Sequence, residues 1–372
     1  MYDGRRRFPF CIALSHKCSR MGSKMKLCMV DELTGEETLA KDVFTIEYKI
    51  LLSEGTVLKH EYIEKLKELN IRQVYIKEEG PDTKTVMILK EDVEESFKSK
   101  VKSILEKHTY SHNNKLVELC QTADYIITNI LEEEEVVEKI YDIKERSSDI
   151  YEHSINLCSL ATIVALKMEL PQETVHDIGV SCLLHDLGLR YLAIEYSDQD
   201  LSDLSEKELA EYKKHPIYAY SALRDETWIS EESKNMILYH HERLDGSGYP
   251  LKATDICKEC RIIQICDAFD EKICGIGCRR KKVYEAVEYL KSNKDIKFDG
   301  KIVDIFLEFT AVYPAGTIVK TNEGETGVVL YQNKQFPDRP VIRITKDRNG
   351  IAVDKVKDLA EINNVYVEEV IE

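Results

Sequence analysis

Residues His240 to Pro250 read HHERLDGSGYP. Neighbouring positions on a helix lie about 100° apart, so two adjacent histidines face different ways unless both border one object. Neutral imidazole is the commonest protein metal ligand, and a metal cluster is the object this pair predicts. The plainer alternative is a helix end followed by an ordinary loop. It accounts for Gly246 and Gly248, whose backbones turn tightly, but not for the paired histidines.

Working outward, further metal-type residues sit in helical text. YEHSINLC places His153 on an apolar helix face, with Asp149 one turn before it. CLLHDLGL carries His185 and Asp186 at the end of an apolar run, and KKHPIYAY supplies His215 just before Pro216. IIQICDAFDEK supplies Asp267 and Asp270, three apart and so on one face. Each alone reads more simply as a satisfied core histidine, a cap or a hydrogen-bond partner. Together they are costly to bury without cations, by several kcal/mol per uncompensated charge. Metal ions remove that cost, and a mixed imidazole and carboxylate set suits Fe, Mn or Zn.

The order His153, His185-Asp186, His215, His240-His241, GYP at 248–250 and Asp267 resembles the HD-GYP branch of the HD phosphohydrolase superfamily. The resemblance covers roughly residues 110–372, because YPAGTIV followed by the turn NEGE is similar to the family's usual ending. The stretch 36–78 resembles a module found ahead of such domains. The resemblance implies a helical domain holding two or three divalent ions, iron or manganese, that hydrolyses cyclic di-GMP to linear pGpG and in some members on to GMP. Carried over by position, His153, His185, Asp186 and Asp267 hold one ion, and His215, His240 and His241 the next. Asp186 bridges them beside the attacking hydroxide and is the catalytic candidate. Asp149 stands where members with a third ion have an acidic ligand, usually the longer Glu. The implied substrate contacts are Arg190, Tyr249, Pro250, Asp270 and Arg279.

Two departures bear on the substrate. The family's HDIGK is here HDLGL, so Leu189 replaces a lysine, and in DEKICGIGCRRKK Ile276 and Gly277 replace the Arg-Pro of DALTSDRPYR. Losing a charge-assisted phosphate contact weakens binding by about 1.5–3 kcal/mol, enough to retune substrate choice. Hydrolysis of another cyclic dinucleotide or phosphoester is therefore the alternative. A nucleotide receptor without turnover is the reading from a different class.

The rest of the chain bounds the answer. With 372 residues, 43% apolar and 32% charged, the composition is that of a globular protein of more than one domain. The net charge of −16 disfavours DNA, RNA and anionic membranes as partners. Eleven scattered cysteines fit a reducing, cytoplasmic setting. Cys257 and Cys260 form a CxxC with no second pair to complete a zinc site, so buried small thiols are the plainer reading.

Residues 1–24, basic and weakly apolar, read as a disordered extension. Residues 25–85 read as a small α/β module, structural or docking an unknown signalling partner. Residues 86–312 read as the helical HD-type domain and 313–372 as a β unit, giving a mainly α protein. Within TIEYKILLSEGTVL two strands flank a Ser-Glu-Gly turn. Leu89, Val93, Phe97, Val101 and Leu105 form an apolar stripe that packs internally or against a second copy as a homodimer. LEEEEVVEK reads as a solvated helix face.

Overall fold

The computed structural model describes residues 25–30, 33, 35, 37–39, 43–44, 50–53, 55–69, 71, 73–77, 85–111, 114–133, 135–334 and 336–371. The extension 1–24 and most of the expected strand ahead of Ile50 lie outside these residues. The chain divides into two compact units, 1–80 and 81–372.

In the first unit β1 (Met25–Met29) pairs antiparallel with β4 (Gln73–Lys77), and β2 (Val43–Phe44) with β3 (Ile50–Leu52). Helix α1 (His60–Glu68) lies between β3 and β4 in the chain. Its Ile63 and Leu66, at helical spacing, are buried with Leu39, Leu58 and Val74. An α/β module is what the alternating text predicts, and it forms.

The second unit begins with α2 (Glu91–Ser111), α3 (Glu118–Leu131), α4 (Ile150–Lys167) and α5 (Gln172–Leu184). It continues through α6 (Glu206–Tyr212), α7 (His215–Leu223), α8 (Glu231–Tyr239), α9 (Lys258–Cys274), α10 (Val283–Ser292) and α11 (Gly300–Phe309). Helices α4, α5 and α9 are buried almost all round. This explains their long apolar runs and makes them rigid carriers for the polar residues they hold. Phe269 of α9 packs edge-on against Phe306 of α11, with ring centroids 4.9 Å apart. In the predicted stripe, Leu89, Val101 and Leu105 are buried in this same core. The stripe thus packs within the chain itself.

The run LEEEEVVEK is not a helix face. Helix α3 stops at Leu131, and only a single 3₁₀ turn, Val136–Glu138, follows. Successive glutamates meet the negative end of the helix dipole there, which disfavours extension.

The C-terminal strands β5 (Ile318–Thr321), β6 (Thr326–Asn333), β7 (Phe336–Lys346), β8 (Ala352–Asp358) and β9 (Val367–Val370) form one antiparallel sheet in the order β8-β7-β6-β5-β9. The turn between β5 and β6 falls on Asn322 to Glu325, as the text NEGE predicts. Buried Asp142 ties this sheet to the helices. It accepts hydrogen bonds from the Val86 and Ala315 backbone N–H at 2.8 and 2.7 Å, and from Gln332 at 3.0 Å. No helix among the described residues is long and apolar enough to cross a membrane.

Cys257 occupies the position just before α9 and is exposed, whereas Cys260 in the first turn is buried. No third donor joins them in a metal-capable group among the described residues. The Cys260 thiol hydrogen-bonds the Cys257 sulfur and brings its pKa down to about 7. The thiolate is the nucleophile, so alkylation of Cys257 is expected to reach half its maximal rate near pH 7. An ordinary thiol reaches it near about 8.5. Mass spectrometry of iodoacetamide labelling against pH checks this, and labelling that rises only above the ordinary value contradicts it.

Candidate metal centre

The carriers of the candidate ligands converge because α4, α5, α8 and α9 pack on one another and α7 packs beside α8. His153 lies in the first turn of α4, His185 and Asp186 start the 3₁₀ segment His185–Tyr191 that continues α5, and His215 opens α7. His240 ends α8, His241 follows it, and Asp267 is central in α9. All seven are at most 6% exposed.

One local device repeats. His185, His215 and His240 each point Nδ1 at the backbone carbonyl three residues upstream, of Cys182 at 2.8 Å, Tyr212 at 2.9 Å and Ile237 at 2.6 Å. A carbonyl only accepts, so Nδ1 donates and Nε2 is left facing inward. His153 does the same through Asp270, with Nδ1 to Oδ2 at 2.8 Å. This outer hydrogen bond is how metal-binding imidazoles are commonly oriented.

The inward nitrogens meet in pairs. His153 Nε2 lies 3.1 Å from His185 Nε2, and His215 Nε2 lies 3.2 Å from His240 Nε2. Asp186 stands between the pairs. Its Oδ2 is 3.3 Å from His185 and 3.8 Å from His153, while Oδ1 is 3.4 Å from His215 and 3.9 Å from His240. Asp267 Oδ1 approaches His153 and His185 at 3.3 and 3.6 Å. Neither Asp267 oxygen has a partner in hydrogen-bonding geometry, although both are buried.

Charge is divided across the cluster. Burial opposes a charged His185 ring, but the adjacent Asp186 carboxylate outweighs it and holds the imidazole up at about 9. Burial, reinforced by His185, brings His240 down to about 3. Burial would raise Asp186, yet His185 and His215 hold its carboxyl well below the usual range.

Donor atoms of Asp186, His215, His240 and His241 all lie within 4.8 Å of one another, as do those of His153, His185 and Asp267. Convergent imidazole nitrogens, a carboxylate set between them and orphaned buried oxygens are a donor set that fits divalent cations. These clusters can hold one or more such ions.

Other predicted residues are placed differently. Asp149 caps α4, accepting from the Tyr151 and Glu152 N–H, and pairs with Lys98 at 3.2 Å. Its carboxylate joins none of the convergent groups, because local capping and a lysine already occupy it. Asp270, expected at substrate, is fully buried and orients His153 instead. Arg190 donates to the Tyr151 hydroxyl. Arg279 is exposed and paired with Asp200 and Asp203, both at 3.4 Å. Tyr249 lies beside the centre, its ring centroid 4.5 Å from that of His241, and Pro250 follows it. Leu189 and Ile276 are buried together with Tyr212 and Cys274 in a small apolar cluster.

Sequence reasoning missed Glu271 and Cys274. Donor atoms of His241, Asp267 and Glu271 form one more convergent group, and those of His153, Asp270 and Cys274 another. The signal for Glu271 was its position four residues after Asp267, on the same helix face.

The chain matches two family models. The HD domain covers residues 135–302, and the KOW domain associated with HD domain covers 318–372. A Pseudomonas aeruginosa protein named as a cyclic di-GMP phosphodiesterase is 28% identical over 227 residues, 59% of this chain and 54% of that protein. A Vibrio cholerae protein named 3'3'-cGAMP-specific phosphodiesterase 2 is 26% identical over 211 residues, 54% of this chain and 37% of that protein. A solved HDG"Y"P protein of Bdellovibrio bacteriovorus has 19% identity and a TM-score of 0.51, covering 76% of this chain and 98% of its own; it shows a shared fold. The chain spans about half the length of these curated relatives or less.

Proposed function

Since residues 135–302 match the HD domain, we propose that the chain is a metal-dependent phosphodiesterase that hydrolyses cyclic di-GMP to linear pGpG. The observation that carries the reading is the pair of Nε2–Nε2 approaches on either side of Asp186. Lone pairs that close repel unless a proton or a metal cation lies between them, and at His215 and His240, where burial disfavours the protonated rings, a metal cation answers best. Several similar proteins are named as cyclic di-GMP phosphodiesterases.

In this reading His153, His185 and Asp267 hold one ion, His215, His240 and His241 the other, and Asp186 one oxygen toward each. Iron or manganese suits these ligands. Two divalent cations, when bound, make water a nucleophile near neutral pH and neutralise charge on the phosphoryl oxygens. The chain's own residues do the rest. Asp270 and the three carbonyls keep the rings of His153, His185, His215 and His240 turned inward, and the apolar walls of α4, α5 and α9 exclude bulk water. Tyr249 and Pro250 shape the entrance beside His241, and Arg190 and Arg279 reach substrate phosphate when released from their present partners. Attack on phosphorus breaks the bond to the ribose 3′ oxygen, with no side-chain nucleophile.

The apolar packing of Leu189 and Ile276 favours a second reading, in which the same centre prefers another cyclic dinucleotide such as 3′,3′-cGAMP or a different phosphoester. The test is turnover by protein loaded with Fe or Mn without oxygen, against a panel of phosphoesters. Formation of pGpG from cyclic di-GMP as the fastest reaction supports the first reading, and faster cleavage of another member the second. Tight nucleotide binding without turnover by any metal-loaded form contradicts both and indicates a receptor.

A further inference from the structure

Helix α9 carries a carboxylate that the two-ion arrangement does not use. Glu271 lies one turn beyond Asp267 on the same face, and its Oε1 is 3.9 Å from His241 Nε2. On the other side of the same ring, His241 Nδ1 is 3.6 Å from Asp267 Oδ2. The three donor atoms converge within 4.8 Å. Two carboxylates at i and i+4 on a helix repel, and in a buried setting the repulsion is screened little by solvent. Asp267 is 1% exposed and both its oxygens lack a hydrogen-bond partner. The Glu271 side chain, 18% exposed, is the most open member of the group.

Such a pair is relieved either by a proton on one carboxyl or by a cation between them, and the His241 nitrogen beside both adds a further metal-type donor. In the ungapped comparison with DALTSDRPYR, Glu271 stands at the alanine, so this carboxylate is an addition of the present chain. Asp149, the other acid considered for an additional ion, is engaged by Lys98 and by the start of α4.

We propose that Glu271 is a metal ligand, joining His241 and Asp267 around a hard divalent cation such as Mn²⁺. It rests on the metal-centre reading above and adds a ligand to it. Oxygen-rich surroundings favour Mn²⁺ or Mg²⁺ over softer ions. The chain would therefore hold manganese more tightly than the histidine-rich set alone provides.

The test is Mn²⁺ binding to the full chain, followed by calorimetry and by metal analysis after gel filtration, for wild type, Glu271→Ala and Glu271→Gln. Circular dichroism establishes that the variants remain folded. Loss of one bound equivalent, or at least about tenfold weaker binding in both variants, is the expected result. Variants that bind Mn²⁺ like the wild type overturn the role of Glu271 while leaving the metal centre intact. A wild-type chain that takes up no Mn²⁺, Fe²⁺ or Zn²⁺ overturns the centre itself.

Discussion

Replacing Asp186 with alanine is expected to abolish hydrolysis, by at least about 10³-fold in kcat for cyclic di-GMP. Loss of an outer hydrogen-bond partner costs about 10–100-fold in metal affinity or activity, and Asp186 does more than orient a ligand. Its two oxygens face different histidine pairs, 3.3 Å from His185 on one side and 3.4 Å from His215 on the other. Deleting it leaves both pairs without the one carboxylate they share, which in the proposed two-ion arrangement would serve both ions. Asp186→Asn is the sharper variant, since it keeps the shape and removes the charge. Metal content should fall together with kcat in both variants. Full metal content with normal turnover in Asp186→Asn would rule out a bridging role.

Gly188→Ala is expected to destabilise the fold by about 3 kcal/mol, the upper end of ordinary overpacking, and to strip metal from the protein. A Cβ at Gly188 would lie 1.9 Å from the carbonyl oxygen of His215 and 2.7 Å from its carbonyl carbon. The obstacle is backbone, not a flexible side-chain tip, so relief requires the 3₁₀ segment and the start of α7 to separate. That movement pulls His185 and Asp186 away from His215. Gly248 is under a similar constraint, its Cβ position 2.5 Å from the Glu242 Cα, which explains why the GYP turn starts with glycine. Chemical denaturation and metal analysis of Gly188→Ala check the expectation. A midpoint within error of the wild type would show that the two segments do not pack as described.

The candidate ligands were legible because His153 and His185 lie in apolar helical text, where an unpaired imidazole is costly, and because His240 and His241 stand side by side. Their convergence was not visible in any one motif; it comes from the packing of α4, α5, α8 and α9, and the whole set had to be read together. The helical body and the C-terminal sheet followed from periodicity, with the turn at Asn322 to Glu325 marked by its residues. What escaped the reading was competition between neighbours. Asp149 is one turn before His153, as expected, but the first free N–H groups of α4 and Lys98 claim it. Asp270 shares a face with Asp267, yet the fold turns it toward His153 Nδ1 and away from solvent. Nothing local in the text assigns Glu271 to His241, because the two come together only when α8 packs on α9. The glutamate run after Leu131 was misread because charge alone was weighed, without its position at the end of a helix.

Anomalous X-ray scattering from crystals of the manganese-loaded protein tests the account most directly. It should show one peak between His153, His185 and Asp267 and a second among His215, His240 and His241, with Asp186 touching both. Manganese bound elsewhere, with these side chains satisfied by one another and no peak between them, would contradict it.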